Sequence, residues 1–224
     1  MNELNTLELE QLFSFRGAIY QLLSRFYRRE MDQELLNQLH QLEFEADITL
    51  PEILEGNRLL KIFLAQMGEN ALTDLAVDYA KIFLGAGPTC GEGAYPYESV
   101  YTSPDRLLMQ NARDQAVAIY RSEDIRLEDS FNEPEDHIAI ELTFMAYLCQ
   151  KTSEAIRRND EAAANSCLLK QRQFLQDHLL SWVPNFCADV QRIAATDFYK
   201  AIAMITYGFL IMDRDMTLGK HSTT

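Results

Sequence analysis

Apolar residues recur at three- and four-residue steps along most of the chain, the spacing that places them on one face of an α-helix. The first such pattern predicts a helix over residues 7–29, and the next predicts one over about 35–42. Pro51 is expected to open a third helix, because proline is tolerated in the first helical turn, and Gly68 is expected to end it. A further short helix is predicted over residues 73–84.

The second half of the chain continues in the same way. The spacing predicts helices over about residues 104–121, 134–151, 160–183, 185–195 and 197–212. Ser103 is expected to cap the first of these, and Pro184 is expected to break the third. Since no segment alternates with period two, the pattern predicts an all-α fold, a bundle of about nine or ten helices.

Two stretches interrupt the helical pattern. Residues 85–103 hold four of the nine glycines and two of the six prolines, which predicts a loop. Residues 122–136 carry seven acidic residues and a single arginine, which predicts a linker. We therefore expect an N-terminal helical part, 1–132, and a C-terminal helical part, 133–224, joined by a hinge at Glu133-Pro134 within the Glu-Pro-x-Asp-His segment.

Composition narrows the function classes. The net charge of −14 argues against nucleic acid as a partner and permits a basic one, such as an arginine-bearing peptide. No apolar run reaches the ~20 residues that a membrane span needs, and the N-terminus carries acids where a signal peptide has bases. We expect a cytoplasmic protein without membrane insertion. The four cysteines lack zinc-like spacing and are expected to be reduced, three of them within helices.

The loop contains the aromatic-proline run 95–101, Tyr-Pro-Tyr-Glu-Ser-Val-Tyr. Tyrosine combines apolar area with a polar tip, so this run is a candidate surface for an extended peptide. The alternative is a loop that its aromatic residues attach to the core, and the residues alone favour neither.

The turn Asn132–His137 opens the helix predicted over 134–151. Asn132 or Glu133 can act as the N-cap with Pro134 near the first helical position, and the acids suit the helix dipole. That assignment leaves His137 unexplained. Glu141 lies four residues after His137 and shares its helix face. Asp136, His137 and Glu141 could therefore hold a metal or act in acid–base catalysis. Since no second histidine lies nearby, we expect no metal. No motif supports covalent catalysis.

Several motifs occur in the order and spacing of one family. They are Asp78-Tyr79-x-x-x-Phe83-x-Gly85, Tyr97-Glu98-Ser99-Val100-Tyr101, Glu133-Pro134-Glu135-Asp136-His137, Glu141-Leu142-x-Phe144-Met145, Gln171-Arg172-x-Phe174-Leu175, His178-Leu179-x-x-Trp182-x-Pro184 and Phe198-Tyr199. With them the chain resembles the TorD/DmsD family from about residue 16 to 209.

The resemblance implies an all-helical cytoplasmic chaperone, and not an enzyme. Such a chaperone binds the twin-arginine signal peptide, and in some members the apo form, of a molybdoenzyme precursor, delays its export, and assists insertion of the molybdenum cofactor. The implied partner is the precursor of a molybdopterin-containing oxidoreductase. The implied oligomeric state is a monomer or a domain-swapped homodimer. No resident cofactor is implied, although weak GTP binding is ascribed to some members.

The family's signal-peptide surface corresponds to eight positions here, which are Tyr79, Phe83, Pro96, Tyr97, Glu98, Ser99, Asp136 and His137. Acidic residues at a hinge can pair with peptide arginines, and aromatic residues can hold an apolar segment. We place these residues in an expected groove between the two parts. Two alternatives remain: a metal-dependent hydrolase that uses Asp136, His137 and Glu141, and a non-catalytic helical adaptor.

Overall fold

The amphipathic patterns fold into helices throughout the part of the chain that the structure describes. The structure is a computed structural model, and it describes residues 5–41, 50–86, 92–126 and 132–218. The α-helices are α1 (Thr6–Arg28), α2 (Gln33–Gln41), α3 (Pro51–Gln66), α4 (Ala71–Phe83), α5 (Glu98–Thr102), α6 (Asn111–Ser122), α7 (Ile138–Arg157), α8 (Glu161–Phe174), α9 (Leu180–Ile193) and α10 (Asp197–Thr217). A π-helical turn, Leu175–Leu179, joins α8 to α9. These ranges contain no β-strand, and the all-α prediction is confirmed.

The N-terminal helices lie close to their predicted positions. α1 matches the pattern over 7–29, and α3 begins at Pro51, whose missing N–H costs nothing in the first turn of a helix. α4 ends at Phe83, immediately before the glycine-rich stretch. Within that stretch, residues 87–91, which include Cys90, lie outside the described residues.

The prediction of a helix over 104–121 is wrong at its start. Residues 98–102 form α5, and Ser103 ends that helix by donating its N–H to the Ser99 carbonyl, 3.1 Å away. Arg106 and Met109 then adopt left-handed backbone conformations, with φ of 53° and 60°. Since side chains other than glycine disfavour this region, no helix can run through 104–109, and α6 begins only at Asn111.

The boundaries after residue 137 also differ from the predicted ones. α7 begins at Ile138 and continues to Arg157, whereas the predicted helix covers about residues 134–151. Pro184 lies inside α9 instead of ending a helix. Pro184 is the fifth residue of α9, which directly follows the π turn, and it has no N–H to donate to the carbonyl of the preceding turn.

The described fold divides into two units. Unit 1 comprises residues 1–25, 97–181 and 214–224, and unit 2 comprises residues 26–96 and 182–213. The predicted division of the chain into 1–132 and 133–224 stays a prediction. The proposed hinge at Glu133-Pro134 stays a prediction.

Unit 1 is built on α7, which packs against α8. Phe144 lies between Tyr120 and Phe174, with ring centroids 4.9 and 4.8 Å apart. Glu123 is buried and accepts hydrogen bonds from Lys151, at 3.0 Å, and from Lys170. The apolar face of α7 is therefore covered by aromatic and aliphatic side chains, with a paired carboxylate at one side.

Unit 2 has an aromatic core. Tyr79 and Phe83 of α4 contact Tyr199 of α10 at centroid distances of 6.1 and 5.6 Å, and Phe83 also contacts Tyr27. Asp78 is buried and accepts hydrogen bonds from the backbone N–H groups of residues 195 and 196, at 3.0 and 2.8 Å. This carboxylate fixes the turn before α10, since it satisfies donors that no carbonyl reaches.

No helix among the described residues is long and apolar enough to cross a membrane. The described cysteines, Cys149, Cys167 and Cys187, are buried free thiols, as expected. Burial raises the pKa of the Cys167 and Cys187 thiols, which makes them unreactive.

Candidate functional site

Two segments far apart in sequence meet in unit 1. Tyr97 and His137 form an antiparallel β-bridge, and the Glu98 N–H donates to the Asp136 carbonyl at 3.0 Å. The Asp136 side chain adds a further link, because its Oδ2 accepts from the Ser99 N–H at 2.8 Å. The start of α5 and the start of α7 are therefore held together by main-chain and side-chain hydrogen bonds.

His137 is the N-cap of α7. Its backbone is extended, with φ −71° and ψ 135°, and its Nδ1 accepts a hydrogen bond from the Ala139 N–H at 3.0 Å. The expected cap at Asn132 or Glu133 is wrong, because the His137 N–H donates to the Pro134 carbonyl and closes a turn before the helix. A neutral imidazole with its proton on Nε2 fits this contact. Burial lowers the pKa of His137 to about 3, so the neutral form persists.

Asp136 is fully buried. Its Oδ1 has no hydrogen-bond partner among the described residues, whereas Oδ2 is bound to Ser99. Burial raises the pKa of Asp136 from its usual value, and the hydrogen bond from Ser99 opposes that shift. This carboxylate therefore lies in the interior of unit 1, and not on an open surface.

The half-exposed groups near this point are aromatic and acidic. The Tyr97 hydroxyl donates to Glu133 at 2.6 Å, and its ring meets the His137 ring edge-to-face at 5.1 Å. Glu135 binds the Arg113 guanidinium in a bidentate manner, at 2.5 and 2.8 Å. We call Tyr97, Glu133 and Glu135 the acidic-aromatic surface.

A second group of polar side chains lies in the interior of unit 1. Glu98 accepts from Ser181 at 3.4 Å and shares a hydrogen bond of 2.8 Å with Nδ1 of His178. The π turn carries His178, whose ring stacks on Phe174 with centroids 4.7 Å apart. Glu141, on α7, completes the group, and one ligand atom from each of Glu98, Glu141 and His178 lies within 4.8 Å of the others. We call these three residues the interior triad.

Sequence reasoning did not find the interior triad. Glu98 was assigned to a peptide surface, and His178 appeared only as part of a family motif. No residue type signals a π turn, and the triad depends on one. Among the described residues, Asp136 and His137 do not belong to the group with metal-ligand spacing, so the set proposed for a hydrolase is not assembled.

The predicted signal-peptide residues divide between the units. Tyr97, Glu98, Ser99, Asp136 and His137 lie together in unit 1, and Tyr97 is the half-exposed one. Tyr79 and Phe83 lie in unit 2, where their rings are 4.9 Å apart and both side chains are buried. Pro96 is also buried and belongs to unit 2. The role of these residues in peptide binding stays a prediction.

Comparison with known proteins gives one family and a set of relatives. Residues 49–188 match the model of the family described as the nitrate reductase delta subunit. A protein named Chaperone protein TorD from Aliivibrio salmonicida is 30% identical over 98% of this chain and all of its own length. A protein of the same name from Shewanella pealeana is 27% identical over 94% of this chain and 93% of its own length. Another, from Vibrio cholerae, is 29% identical over 92% of this chain and 94% of its own length.

Proposed function

We propose, since this chain belongs to the nitrate reductase delta subunit family, that it is a chaperone for the precursor of a molybdopterin-containing oxidoreductase. The resemblance to TorD chaperones is confirmed over nearly the whole chain, and it supports protein binding in place of catalysis. In this proposal the chaperone acts in the cytoplasm. It binds the twin-arginine signal peptide of the client and delays export while the molybdenum cofactor is inserted.

The observation that carries the peptide-binding proposal is the bidentate pair of Arg113 and Glu135. Here the turn before α7 already binds a guanidinium through two hydrogen bonds in the fork geometry that arginine and carboxylate share. Glu133, two residues away and half-exposed, offers a second carboxylate, which accepts a hydrogen bond from the Tyr97 hydroxyl. A peptide arginine can replace that hydroxyl without uncovering the core.

The buried residues have a different part in this proposal. Asp136 accepts a hydrogen bond from the Ser99 N–H, and His137 caps α7. In this proposal both buried residues fix the backbone that carries the acidic-aromatic surface. Tyr97 offers its ring edge to an apolar residue of the peptide. We therefore assign direct contact with the peptide to Tyr97 and Glu133, and positioning to Ser99, Asp136 and His137.

The test uses a labelled peptide with two adjacent arginines followed by an apolar segment, titrated with the full-length chain. We expect binding with a Kd of about 1 μM or tighter that weakens as salt rises, because the contact is between exposed charges. Replacing both peptide arginines by glutamine should remove the binding. Glu133→Gln should weaken it by about fivefold to tenfold, the loss of one charge-assisted hydrogen bond.

Glu154→Gln is the matched control, because Glu154 is a half-exposed carboxylate on α7 about 24 Å along the helix from Ile138. Equal affinity of the Glu133→Gln, Glu154→Gln and unmodified chains would remove the acidic-aromatic surface from the proposal. Asp136→Asn is measured together with its thermal unfolding. If this variant stays folded and binds with full affinity, Asp136 has no positioning role.

A further inference from the structure

The acidic-aromatic surface contains two carboxylates that are bound by different kinds of donor. The Arg113 guanidinium, a permanent cation, donates to both oxygens of Glu135, at 2.5 and 2.8 Å. Glu133 accepts from the Tyr97 hydroxyl at 2.6 Å, and a phenol is an uncharged donor. One carboxylate of the surface is therefore already paired with a cation of the chain itself, and the other is bound by a neutral group.

Other contacts than this ion pair hold α6 against the turn before α7. The Tyr120 side chain of α6 is buried, and its hydroxyl donates to the Glu135 carbonyl at 3.3 Å. The Gln110 N–H, directly before α6, donates to Oγ of Ser99 at 3.1 Å. The side chains of Arg113 and Glu135 are 27% and 25% exposed, and ion pairs that are open to solvent contribute little to stability. Removal of the Arg113 guanidinium therefore leaves the packing of α6 in place.

An arginine from a peptide gains little by replacing Arg113. It would form the same two hydrogen bonds with Glu135 that Arg113 gives up, so the exchange is nearly neutral in free energy. Arg113 also belongs to the same chain, which gives it an effective concentration of the order of millimolar. Glu133 differs, because a peptide arginine there replaces a neutral donor by a cation and forms a stronger hydrogen bond. Glu135 is thus closed to a peptide arginine, and Glu133 is open.

We propose that Arg113 is an internal ligand of Glu135 and thereby sets the specificity of the acidic-aromatic surface to one peptide arginine. The inference rests on the proposed function, since it concerns the same surface and the same peptide. With Arg113 in place, one peptide arginine pairs with Glu133, and a second has no open carboxylate on this surface. Without Arg113, Glu135 becomes available two residues from Glu133, a span of at most about 7 Å that two adjacent arginine side chains can cover.

The first measurement needs no variant. The full-length chain is titrated with four labelled peptides that share one apolar segment and carry Arg-Arg, Arg-Gln, Gln-Arg or Gln-Gln before it. At about 0.15 M salt, where long-range attraction is screened, the Arg-Arg peptide should bind within about threefold of the better single-arginine peptide, and the Gln-Gln peptide should not bind. A gain of about tenfold or more from the second arginine would mean that two carboxylates are open, and this would overturn the proposal.

Arg113→Gln opens Glu135 and gives the opposite expectation. Its affinity for the Arg-Arg peptide should rise by about fivefold or more, the gain of one charge-assisted contact, and the loss of either peptide arginine should now weaken binding by about as much. Adding Glu135→Gln to this variant should return the affinity to that of the unmodified chain. Arg121→Gln is the matched control, because it removes the same charge from an exposed position about 12 Å further along α6. It should bind as the unmodified chain does.

Thermal unfolding of each variant is measured in parallel. If a folded Arg113→Gln chain binds equally or more weakly and shows no new dependence on the second arginine, the proposal is wrong and Arg113 is a surface ion pair. The proposed function is tested separately, since equal binding of the Arg-Arg and Gln-Gln peptides by the unmodified chain would reject it whatever Arg113→Gln does. If Arg113→Gln fails to fold, the four peptides with the unmodified chain decide.

Discussion

At the scale of the residue, His137 shows why a single side chain could not be interpreted from the sequence. A charged histidine is unfavourable at a helix N-terminus, so its position before α7 had no electrostatic explanation. A neutral imidazole removes the conflict, because its Nδ1 accepts the Ala139 N–H like the oxygen of a serine or asparagine cap. What the sequence does not contain is the burial that keeps the ring neutral.

The protonation of His137 should therefore make stability depend on pH. Its pKa is lowered to about 3 in the folded chain and is close to 6.5 in the unfolded chain. Between these values the unfolded chain binds a proton that the folded residue does not. The residue's contribution to stability is thus constant above about pH 6.5 and decreases as the pH falls towards 3, by up to about 1.4 kcal/mol per pH unit.

His137→Asn keeps a neutral cap acceptor and removes this titration. Relative to the unmodified chain, the variant should gain about 2 kcal/mol of unfolding free energy between pH 7.5 and pH 5.0. Urea denaturation at the two pH values measures the difference. His40→Asn, at an exposed position of α2, is the control and should show no such gain. An equal pH response in both variants would contradict the assignment of the buried cap.

At the scale of the element, the pattern predicted helices well and their ends poorly. The prediction for α1 is correct because its apolar face is continuous, and Pro51 marks the start of α3. The errors fall where backbone geometry and not hydrophobicity decides the outcome. Positive φ angles at Arg106 and Met109 stop a helix that the pattern favours, and α9 continues through Pro184 although proline has no N–H to donate.

The close contact of α3 with α10 in unit 2 depends on glycine. A Cβ at Gly56 would lie 2.7 Å from Cγ1 of Ile205 and 3.0 Å from the Ala201 carbonyl oxygen. Gly56→Ala should therefore destabilise the chain by about 1–2 kcal/mol, since overpacking outweighs the ~1 kcal/mol that alanine gains in helix propensity.

Gly68→Ala is the matched substitution, because a Cβ at Gly68 meets nothing within 4 Å. It should be neutral or slightly stabilising, by up to about 1 kcal/mol. Urea denaturation followed by far-ultraviolet circular dichroism compares the two variants. A Gly56→Ala chain as stable as the unmodified one would mean that the two helices can separate without cost.

At the scale of the whole molecule, the sequence assigns Tyr97, Asp136 and His137 to one predicted site but does not predict how they are arranged. Tyr97 and His137 lie 40 positions apart, and periodicity does not indicate that they form a β-bridge. The motif order suggested that the residues act together. The sequence does not show that Asp136 is fully buried while Tyr97 is half-exposed; that difference is seen only in the fold. One property of the whole chain follows directly from its composition, the strong negative charge.

That charge should give salt two opposite effects. The net charge of −14 makes the folded chain repel itself, and salt screens the repulsion, with a Debye length that falls from about 30 Å at 0.01 M to about 8 Å at 0.15 M. The thermal midpoint at pH 7 should therefore rise by a few degrees over this range, while the affinity for the arginine-containing peptide falls. Near pH 4.7, the isoelectric point, the same increase in salt should change the midpoint much less. Scanning calorimetry at the two pH values measures both midpoints. A midpoint that falls with salt at pH 7 would show that attractive ion pairs, such as those of Glu123 with Lys151 and Lys170, outweigh the repulsion.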